Sequence, residues 1–303
     1  MLLAPVHAYL ALRRAAGFRL RNAELMLRSF ARYAEARGEE LVRAETVIAW
    51  ASQGRSPQRR ETRLRAVALF ARHARAEDPR HESPPYRLFG GLYRRPTPFL
   101  FRPDQLQDLL HAARRLGPPT SIRPHTYATL FGLLASTGLR VSEALALRPD
   151  DLTRDGLRIR QTKFQKTRLV PIHPTVATAL DRYLERRRRI AGKAGPLFVG
   201  TDGRPLRYST VHWTFRRLVR EIGLEVPGQA RPRIHCLRHT LAVRALESCP
   251  EGLPRITRHQ VALATYLGHA HLHETYWYLQ ATPQLLRDIA RACESQLSAG
   301  GGR

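Results

Sequence analysis

A stretch rich in proline, glycine and arginine between residues 83 and 98 constrains the fold more than any other feature. It contains Ser83-Pro84-Pro85, Gly90-Gly91 and Arg94-Arg95-Pro96-Thr97-Pro98. Proline cannot donate the backbone hydrogen bond of a helix interior, and glycine favours helix ends, so we expect no helix to cross this stretch. The length of 303 residues supports about two domains of ordinary size. We therefore predict two domains, residues 1–95 with the linker at their end, and residues 96–303.

The apolar residues on both sides of this stretch mainly follow the helical period. Met26, Phe30 and Tyr33 recur at helical spacing, and residues 1–93 are predicted to be all helical. In the second block the same period predicts helices at residues 104–116, 124–136, 141–147, 174–190, 209–222, 235–248, 257–267, 272–281 and 283–297. Leu157–Thr162 and Arg168–Ile172 are typical of strands and predict a hairpin with a basic tip. The predicted fold class is mostly α with one small antiparallel β-sheet (α+β).

The chain is strongly basic. It has 51 Lys and Arg residues against 25 Asp and Glu, a formal net charge of +26. Such a protein attracts polyanions, nucleic acid first and a membrane surface second, and arginine forms planar forks to phosphate. The arginines of residues 13–28 and 55–65 are candidates for DNA contact, among them Arg59, Arg60 and Arg63. Solvated helix faces are the alternative explanation for these arginines.

The remaining composition favours an intracellular protein without a cofactor. The three cysteines are too few for a disulfide framework, and their spacing matches no zinc module. We find no secretion signal, no apolar run near the ~20 residues of a membrane helix, and no glycine-rich nucleotide motif. His269, His271 and His273 alternate, but no carboxylate or cysteine is placed to complete a metal site. We therefore predict a cytoplasmic, nucleoid-associated protein with no metal, no cofactor and no membrane partner.

Three clusters in the second block carry residues that suit phosphate chemistry. The first is Thr137-Gly-Leu-Arg-Val-Ser-Glu143, in which Glu143 follows Arg140 by three residues. The second is His235-Cys-Leu-Arg-His239, in which His235 and Arg238 would share a helix face. The third is Tyr266-Leu-Gly-His269 followed by Glu274-Thr-Tyr-Trp-Tyr278. Each cluster alone also fits a plainer explanation: a surface ion pair, a solvated histidine, or aromatic residues in a core.

Taken in order, these clusters resemble the motifs of the tyrosine recombinases, also called phage integrases or lambda-integrase-type recombinases. The resemblance covers nearly the whole chain and implies a helical core-binding domain followed by a catalytic domain. It implies Arg140 and Arg238 as the two catalytic arginines, His235 and His269 as the catalytic histidines, and Glu143 and His239 as supporting residues. Tyr278 is implied as the nucleophile because it follows His269 by nine residues, whereas Tyr276 has the wrong spacing.

The hairpin is similar to the lysine-bearing hairpin of this family. Aligned on the Val170-Pro171 pair, Lys163 takes the position of the catalytic lysine, and Lys166 is the competing candidate as well as a possible DNA contact. Phe164-Gln165 stands where glycine-containing turns are common in the family. The role of His271 and His273 has no counterpart in the resemblance.

The resemblance implies a site-specific recombinase that cleaves and rejoins double-stranded DNA through a 3′-phosphotyrosine. It would act as a homotetramer on two DNA sites, either alone or together with related recombinases, and would use no cofactor. The ending Tyr276-Trp-Tyr-Leu-Gln-Ala-Thr-Pro283 resembles transposon and plasmid members more than chromosome-dimer resolvases, so we expect integration, excision or transposition of a mobile element. A chromosome or plasmid dimer resolvase is the alternative within the family. A non-catalytic DNA-binding accessory protein and a basic RNA-binding protein are the alternatives from other classes.

Overall fold

The computed structural model of the chain describes residues 2–18, 20–90, 97–160, 167–248, 253–269, 271–272, 274–275 and 278, and side chains are not described for residues 253–256. The chain divides into two compact units, Met1–Arg95 and Pro96–Arg303. Within the described ranges, no helix combines the length and the apolar character needed to cross a membrane.

The described part of the first unit is built from helices. Ser56 starts the last of them, because its hydroxyl accepts a hydrogen bond from the Arg59 N–H at 3.2 Å and Pro57 occupies the first helical position. The apolar faces meet in a core that includes Phe30 and Trp50, whose rings are 5.6 Å apart. The helices of this unit are α1 (Leu3–Ala15), α2 (Arg21–Glu35), α3 (Ala44–Ser52) and α4 (Pro57–Glu77).

Residues 78–90 contain no helix. The absence of helix from residue 83 onward agrees with the expected break, whereas the all-helical prediction for residues 1–93 was wrong already at residue 78. Prolines in this stretch interrupt the helical hydrogen-bond pattern. Side chains of the stretch instead form hydrogen bonds with backbone N–H groups near α3. His81 Nδ1 accepts a hydrogen bond from the Val42 N–H at 2.9 Å, and the Glu82 carboxylate accepts one from the Ala44 N–H at 2.8 Å. These bonds tie the stretch to the start of α3.

The second unit packs its helices around a large apolar core. Helix α6 is central, because it packs against α5, α8 and α10. Phe131 on α6 meets Phe215 on α9 with ring centroids 5.6 Å apart. The described helices of this unit are α5 (Pro103–Arg114), α6 (Arg123–Thr137), α7 (Val141–Ala146), α8 (Pro174–Ala191), α9 (Tyr208–Glu221), α10 (Cys236–Glu247) and α11 (Leu253–Leu267), with one 3-10 turn at Pro149–Asp151.

A small antiparallel sheet lies between α7 and α8 in the sequence. Its strands are β1 (Leu152–Thr153), β2 (Gly156–Ile159) and β3 (Arg168–Val170), in the order β1-β2-β3. Leu157 pairs with Val170 and Ile159 with Arg168. Because alternate residues of a strand face the same side, Arg168 shares the face of buried Val170, whereas Leu169 between them is exposed.

The predicted fold class, mostly α with one small antiparallel sheet, is confirmed. The strands are shorter than predicted in their described parts, and β1 was missed because two residues give too little alternation to detect. Helix α11 begins at Leu253, four residues before the predicted start. Most of the predicted helix at residues 272–281, and all of that at 283–297, lie outside the described residues.

Candidate active site

Arg140 is positioned by a glycine-terminated helix. Gly138 ends α6 with φ 61° in the left-handed region, and a Cβ there would lie 2.8 Å from the Leu241 side chain and 3.0 Å from that of Leu267. Both the conformation and the close approach therefore require glycine. Two residues later Arg140 begins α7, where its N–H and Nη1 donate to the Glu143 carboxylate at 3.0 and 2.9 Å.

Arg238 projects from the first turn of α10 into the interior. It is 2% exposed. Its Nη1 donates to the Gly138 carbonyl at 2.6 Å and its Nη2 to the Leu267 carbonyl at 2.8 Å. It also forms a side-chain hydrogen bond with Tyr278. Arg238 therefore joins the end of α6, the end of α11 and the predicted nucleophile.

Three arginines from different elements converge on the carboxyl end of α11. The carbonyls of Tyr266, Leu267 and Gly268 accept hydrogen bonds from Arg168 Nε at 3.1 Å, Arg238 Nη2 at 2.8 Å and Arg140 Nη2 at 3.2 Å, respectively. Carbonyls at a helix end lack partners within the helix and carry partial negative charge, so cations stabilise them. We name this group, Arg140, Arg168 and Arg238 around residues 266–268, the arginine cluster.

Arg168 is a member of the arginine cluster that the sequence analysis did not single out. Its Nη1 and Nη2 donate to the two oxygens of Glu143 at 3.2 and 2.9 Å, so Arg140 and Arg168 share one carboxylate. Burial raises the pKa of Glu143, but the hydrogen bond and charge of Arg168, followed by Arg140, lower it overall. The alternation of faces along β3 could have indicated this residue, because it places the charged Arg168 on the same face as buried Val170.

The described catalytic candidates other than the arginines are aromatic and lie beside one another. The rings of His269 and Tyr278 are stacked at 5.9 Å with an interplanar angle of 16°. His239 lies between the others, with its ring 5.4 Å from that of Tyr278 and 4.7 Å from that of His235. Tyr278 is only 3% exposed.

Both catalytic-candidate histidines are neutral at pH 7 in this environment. His235 keeps an exposed side, but the protein atoms packed around its ring, then the charges of Arg238 and Arg140, lower its pKa to about 4. Burial, then Arg238, lower the pKa of His269 to about 4, although Glu274 acts in the opposite direction. Neutral imidazole offers one hydrogen-bond donor and one acceptor, as proton transfer requires.

Several residues that the sequence analysis singled out are not part of the described site. Lys163, Lys166, Tyr276 and His273 lie outside the described residues. In the first unit Arg59 is exposed. Arg60 Nε donates to the Gly54 carbonyl at 2.9 Å, and the Arg63 guanidinium lies 3.9 Å from the centre of the Trp50 ring. Arg60 and Arg63 therefore make contacts within their own unit.

The described site thus combines buried cations, neutral imidazoles and a buried phenol. Among the described residues, no group of three or more His, Cys, Asp or Glu side chains is arranged to bind a metal ion. Arginine forks bind phosphate oxygens, a neutral histidine can exchange a proton, and a tyrosine hydroxyl can serve as a nucleophile. The arrangement suits chemistry on a phosphodiester.

Comparison with known proteins agrees with this chemistry. Residues 100–284 match the model of the phage integrase family. The chain is 38% identical over 300 residues to the putative integrase/recombinase y4rB of Sinorhizobium fredii, covering 95% of this chain and 96% of that protein. It is 33% identical over 167 residues to a tyrosine recombinase XerC of Nitrobacter winogradskyi, covering 54% of this chain and 48% of that one.

A solved structure of the Tn1549 transposon integrase in complex with transposon right end DNA has the same fold. It superposes with a TM-score of 0.67 at 20% identity, covering 97% of this chain and 99% of that one. Fold and site together define the class of tyrosine-type site-specific recombinases. The chain belongs to the phage integrase family.

Proposed function

We propose that this protein cleaves and rejoins double-stranded DNA through a 3′-phosphotyrosine at Tyr278. Arg140, Arg238 and His269 bind the scissile phosphate, His235 and Lys163 transfer protons, and Glu143 and His239 support these groups. The observation that carries the proposal is the contact of Tyr278 with Arg238 and His269 at one buried place.

The proposed step is balanced without a cofactor. The Tyr278 oxygen forms a bond to phosphorus as it loses its proton to a neutral histidine, and the bond from phosphorus to the 5′ oxygen breaks. Lys163 gives a proton to the departing 5′ oxygen. The arginines stabilise the negative charge of the transition state. Because the phosphotyrosine conserves the energy of the bond, a 5′ hydroxyl from a partner strand can reverse the step and join the strands.

The proposed partner is duplex DNA, and the proposed assembly is a tetramer on two sites, formed by this chain alone or together with related recombinases. The solved structure of the Tn1549 transposon integrase named above and that of a lambda integrase dimer on a core site are DNA complexes, which supports DNA as the partner. The net charge of +26 supports it independently.

Within this function we propose that the protein recombines the DNA of a mobile element, in integration, excision or transposition. The 38% identity to a putative integrase/recombinase and the fold shared with a transposon integrase support this role. Relatives named XerC support the alternative, a chromosome or plasmid dimer resolvase. The positions of the cleaved DNA distinguish the two roles, because an element is cut at its ends whereas a resolvase acts at one site per replicon.

The test is covalent capture in cells. Tagged protein is expressed with a library of genomic fragments from the source organism, purified under denaturing conditions, and the DNA that stays attached is sequenced. We expect DNA joined at discrete positions for the unaltered protein and none for Tyr278→Phe, which removes only the hydroxyl.

Tyr276→Phe is the matched control, because it removes a neighbouring tyrosine hydroxyl and should leave capture intact. Capture lost in Tyr276→Phe but kept in Tyr278→Phe would reassign the nucleophile. DNA bound under native conditions, with none attached under denaturing conditions for any of the three proteins, would favour a non-catalytic accessory protein.

A further inference from the structure

His269 has a hydrogen-bond partner on the segment that carries Tyr278. Its Nδ1 lies 2.7 Å from the hydroxyl oxygen of Thr275. Thr275 is 1% exposed, and its backbone N–H donates to the Leu272 carbonyl at 2.8 Å. The threonine is therefore fixed in place, and its hydroxyl contacts Nδ1 of the ring rather than Nε2.

The Thr275 contact determines what the opposite nitrogen of the ring can do. A neutral imidazole carries its single proton on either Nδ1 or Nε2. A hydroxyl can donate to a bare Nδ1 or accept from a protonated one, so the direction of this bond selects the tautomer. If the hydroxyl donates, the proton lies on Nε2, and Nε2 becomes a hydrogen-bond donor.

The surroundings of His269 favour the tautomer with a donor at Nε2 once an anion is present. Arg238, Arg140 and Arg168 all act electrostatically on this ring. An anion attracted by these guanidinium groups would lie beside His269, where an N–H would stabilise it and a lone pair would repel it. Among the described residues near the ring, Glu274 is the one carboxylate that acts on His269 in the opposite direction.

We propose that Thr275 is a positioning residue for the cleavage reaction: its hydroxyl donates to Nδ1 of His269 and thereby presents the Nε2 proton to the scissile phosphate. This inference rests on the function proposed above. Thr275 itself does not touch the phosphate. Because it precedes Tyr278 by three residues, the same segment orients the phosphate-binding histidine and carries the nucleophile.

The first test reads the tautomer directly in the full-length protein saturated with inorganic phosphate, which stands in for the scissile phosphate and needs no cleavage of DNA. Histidine labelled with nitrogen-15 is observed by NMR at pH 7, and the His269 signals are assigned by their absence in His269→Gln. We expect the proton on Nε2 in the unaltered protein and in Thr275→Ser. In Thr275→Val, which keeps the shape and loses the hydroxyl, we expect a mixture of tautomers. A proton on Nδ1 in the unaltered protein would overturn the inference, whether or not DNA is cleaved.

The second test separates positioning from binding. On a nicked duplex that carries the captured cleavage site, we expect Thr275→Val to bind within about twofold of the unaltered protein and to form the covalent product about tenfold more slowly, the effect of one lost hydrogen bond to the reacting site. Thr275→Ser should restore the rate. Thr265→Val is the matched control, because that hydroxyl donates to the Val261 carbonyl within α11.

The outcomes distinguish this inference from the proposed function. If the unaltered protein forms no covalent product, the proposed function fails, and the NMR result alone decides the hydrogen bond. If the unaltered protein cleaves and Thr275→Val cleaves equally fast, Thr275 has no positioning role. A loss of rate in Thr275→Val that Thr275→Ser does not restore would indicate a purely structural effect and would also contradict the inference.

Discussion

Arg238 stays charged although only 2% of it is exposed. Burial lowers its pKa from the ordinary value, but arginine is not deprotonated in proteins. Partial desolvation and the charge of Arg238 keep His235 and His269 neutral at pH 7, with each pKa lowered to about 4. The positive charge of the described site therefore comes from arginine, and we expect it to stay constant across physiological pH while the histidines remain able to exchange protons.

Burial also lowers the pKa of a histidine in the first unit, and this shift affects the stability of that unit. His81 is 6% exposed, and its Nδ1 accepts from the Val42 N–H. Burial lowers its pKa from 6.5 in the folded protein. The unfolded chain therefore binds the proton first, so the stabilising contribution of neutral His81 is complete above pH ~6.5 and is lost as pH falls toward the folded-state pKa.

We expect the first unit to lose at most about 1.4 kcal/mol of unfolding free energy per pH unit below pH ~6.5 from this group. Hydrogen–deuterium exchange of the peptide that contains Val42, corrected for intrinsic rates, measures the change. His81→Gln is the control, because its amide oxygen can accept the same bond and does not titrate. An equal pH slope in both proteins would show that another group is responsible.

At the scale of elements, Arg168 connects three parts of the second unit. It begins β3, pairs with Glu143 on α7 and donates to the Tyr266 carbonyl at the end of α11. A Cβ on Gly268 would lie 2.5 Å from its Nη1, so the chain passes directly over the guanidinium. The strand that follows the predicted lysine hairpin is thereby attached to the same carboxylate as Arg140.

Arg168→Lys should keep the charge and lose the paired hydrogen bonds to Glu143, because an ammonium is a point donor. We expect covalent product to form about tenfold more slowly, by about 1.4 kcal/mol of lost transition-state stabilisation. The measurement is the single-turnover rate on the captured site. Arg158→Lys, on the exposed face of β2, makes the same change without touching Glu143. Equal rates for the two variants would show that the paired hydrogen bonds of Arg168 to Glu143 do not contribute to catalysis.

Long periodic patterns in the sequence predicted the positions of the helices well. They did not predict which charged side chains are buried, because tertiary contacts determine that. The helical period located α5, α6, α8 and α9 to within a few residues. It could not distinguish Arg187, which is fully buried and donates to the carbonyls of residues 192, 194 and 196, from the exposed arginines beside it in Arg186–Arg189.

The same limit applies to the site. The resemblance to tyrosine recombinases implied Arg140, Arg238, His269 and Tyr278, and the structure brings these residues together, while their roles stay predictions. Thr275 was missed because a hydroxyl carries no charge or period that marks it as a partner of a distant ring nitrogen.

At the scale of the whole molecule, a net charge of +26 makes DNA affinity depend on salt. Each neutralised phosphate contributes about −0.9 to the slope of log affinity against log salt. Arg59→Ala should therefore make the slope shallower by about one unit without lowering the thermal stability, because Arg59 is exposed. Fluorescence anisotropy with the captured duplex at several salt concentrations measures the slope.

Arg63→Ala is the comparison for this prediction. Its guanidinium packs on Trp50, so its loss should lower the melting temperature of the protein. An unchanged slope in Arg59→Ala would exclude this arginine from the DNA-binding surface.

The convergence of the arginine cluster on residues 266–268 has a consequence for the order in which the protein is made. Arg140, Arg168 and Arg238 leave the ribosome before the carbonyls that orient them, and Tyr278 follows later still. A nascent or prematurely terminated chain that stops before residue 266 carries the cations without the carbonyls that orient them and without Tyr278. On the function proposed above, covalent cleavage of DNA therefore requires a chain translated at least as far as Tyr278.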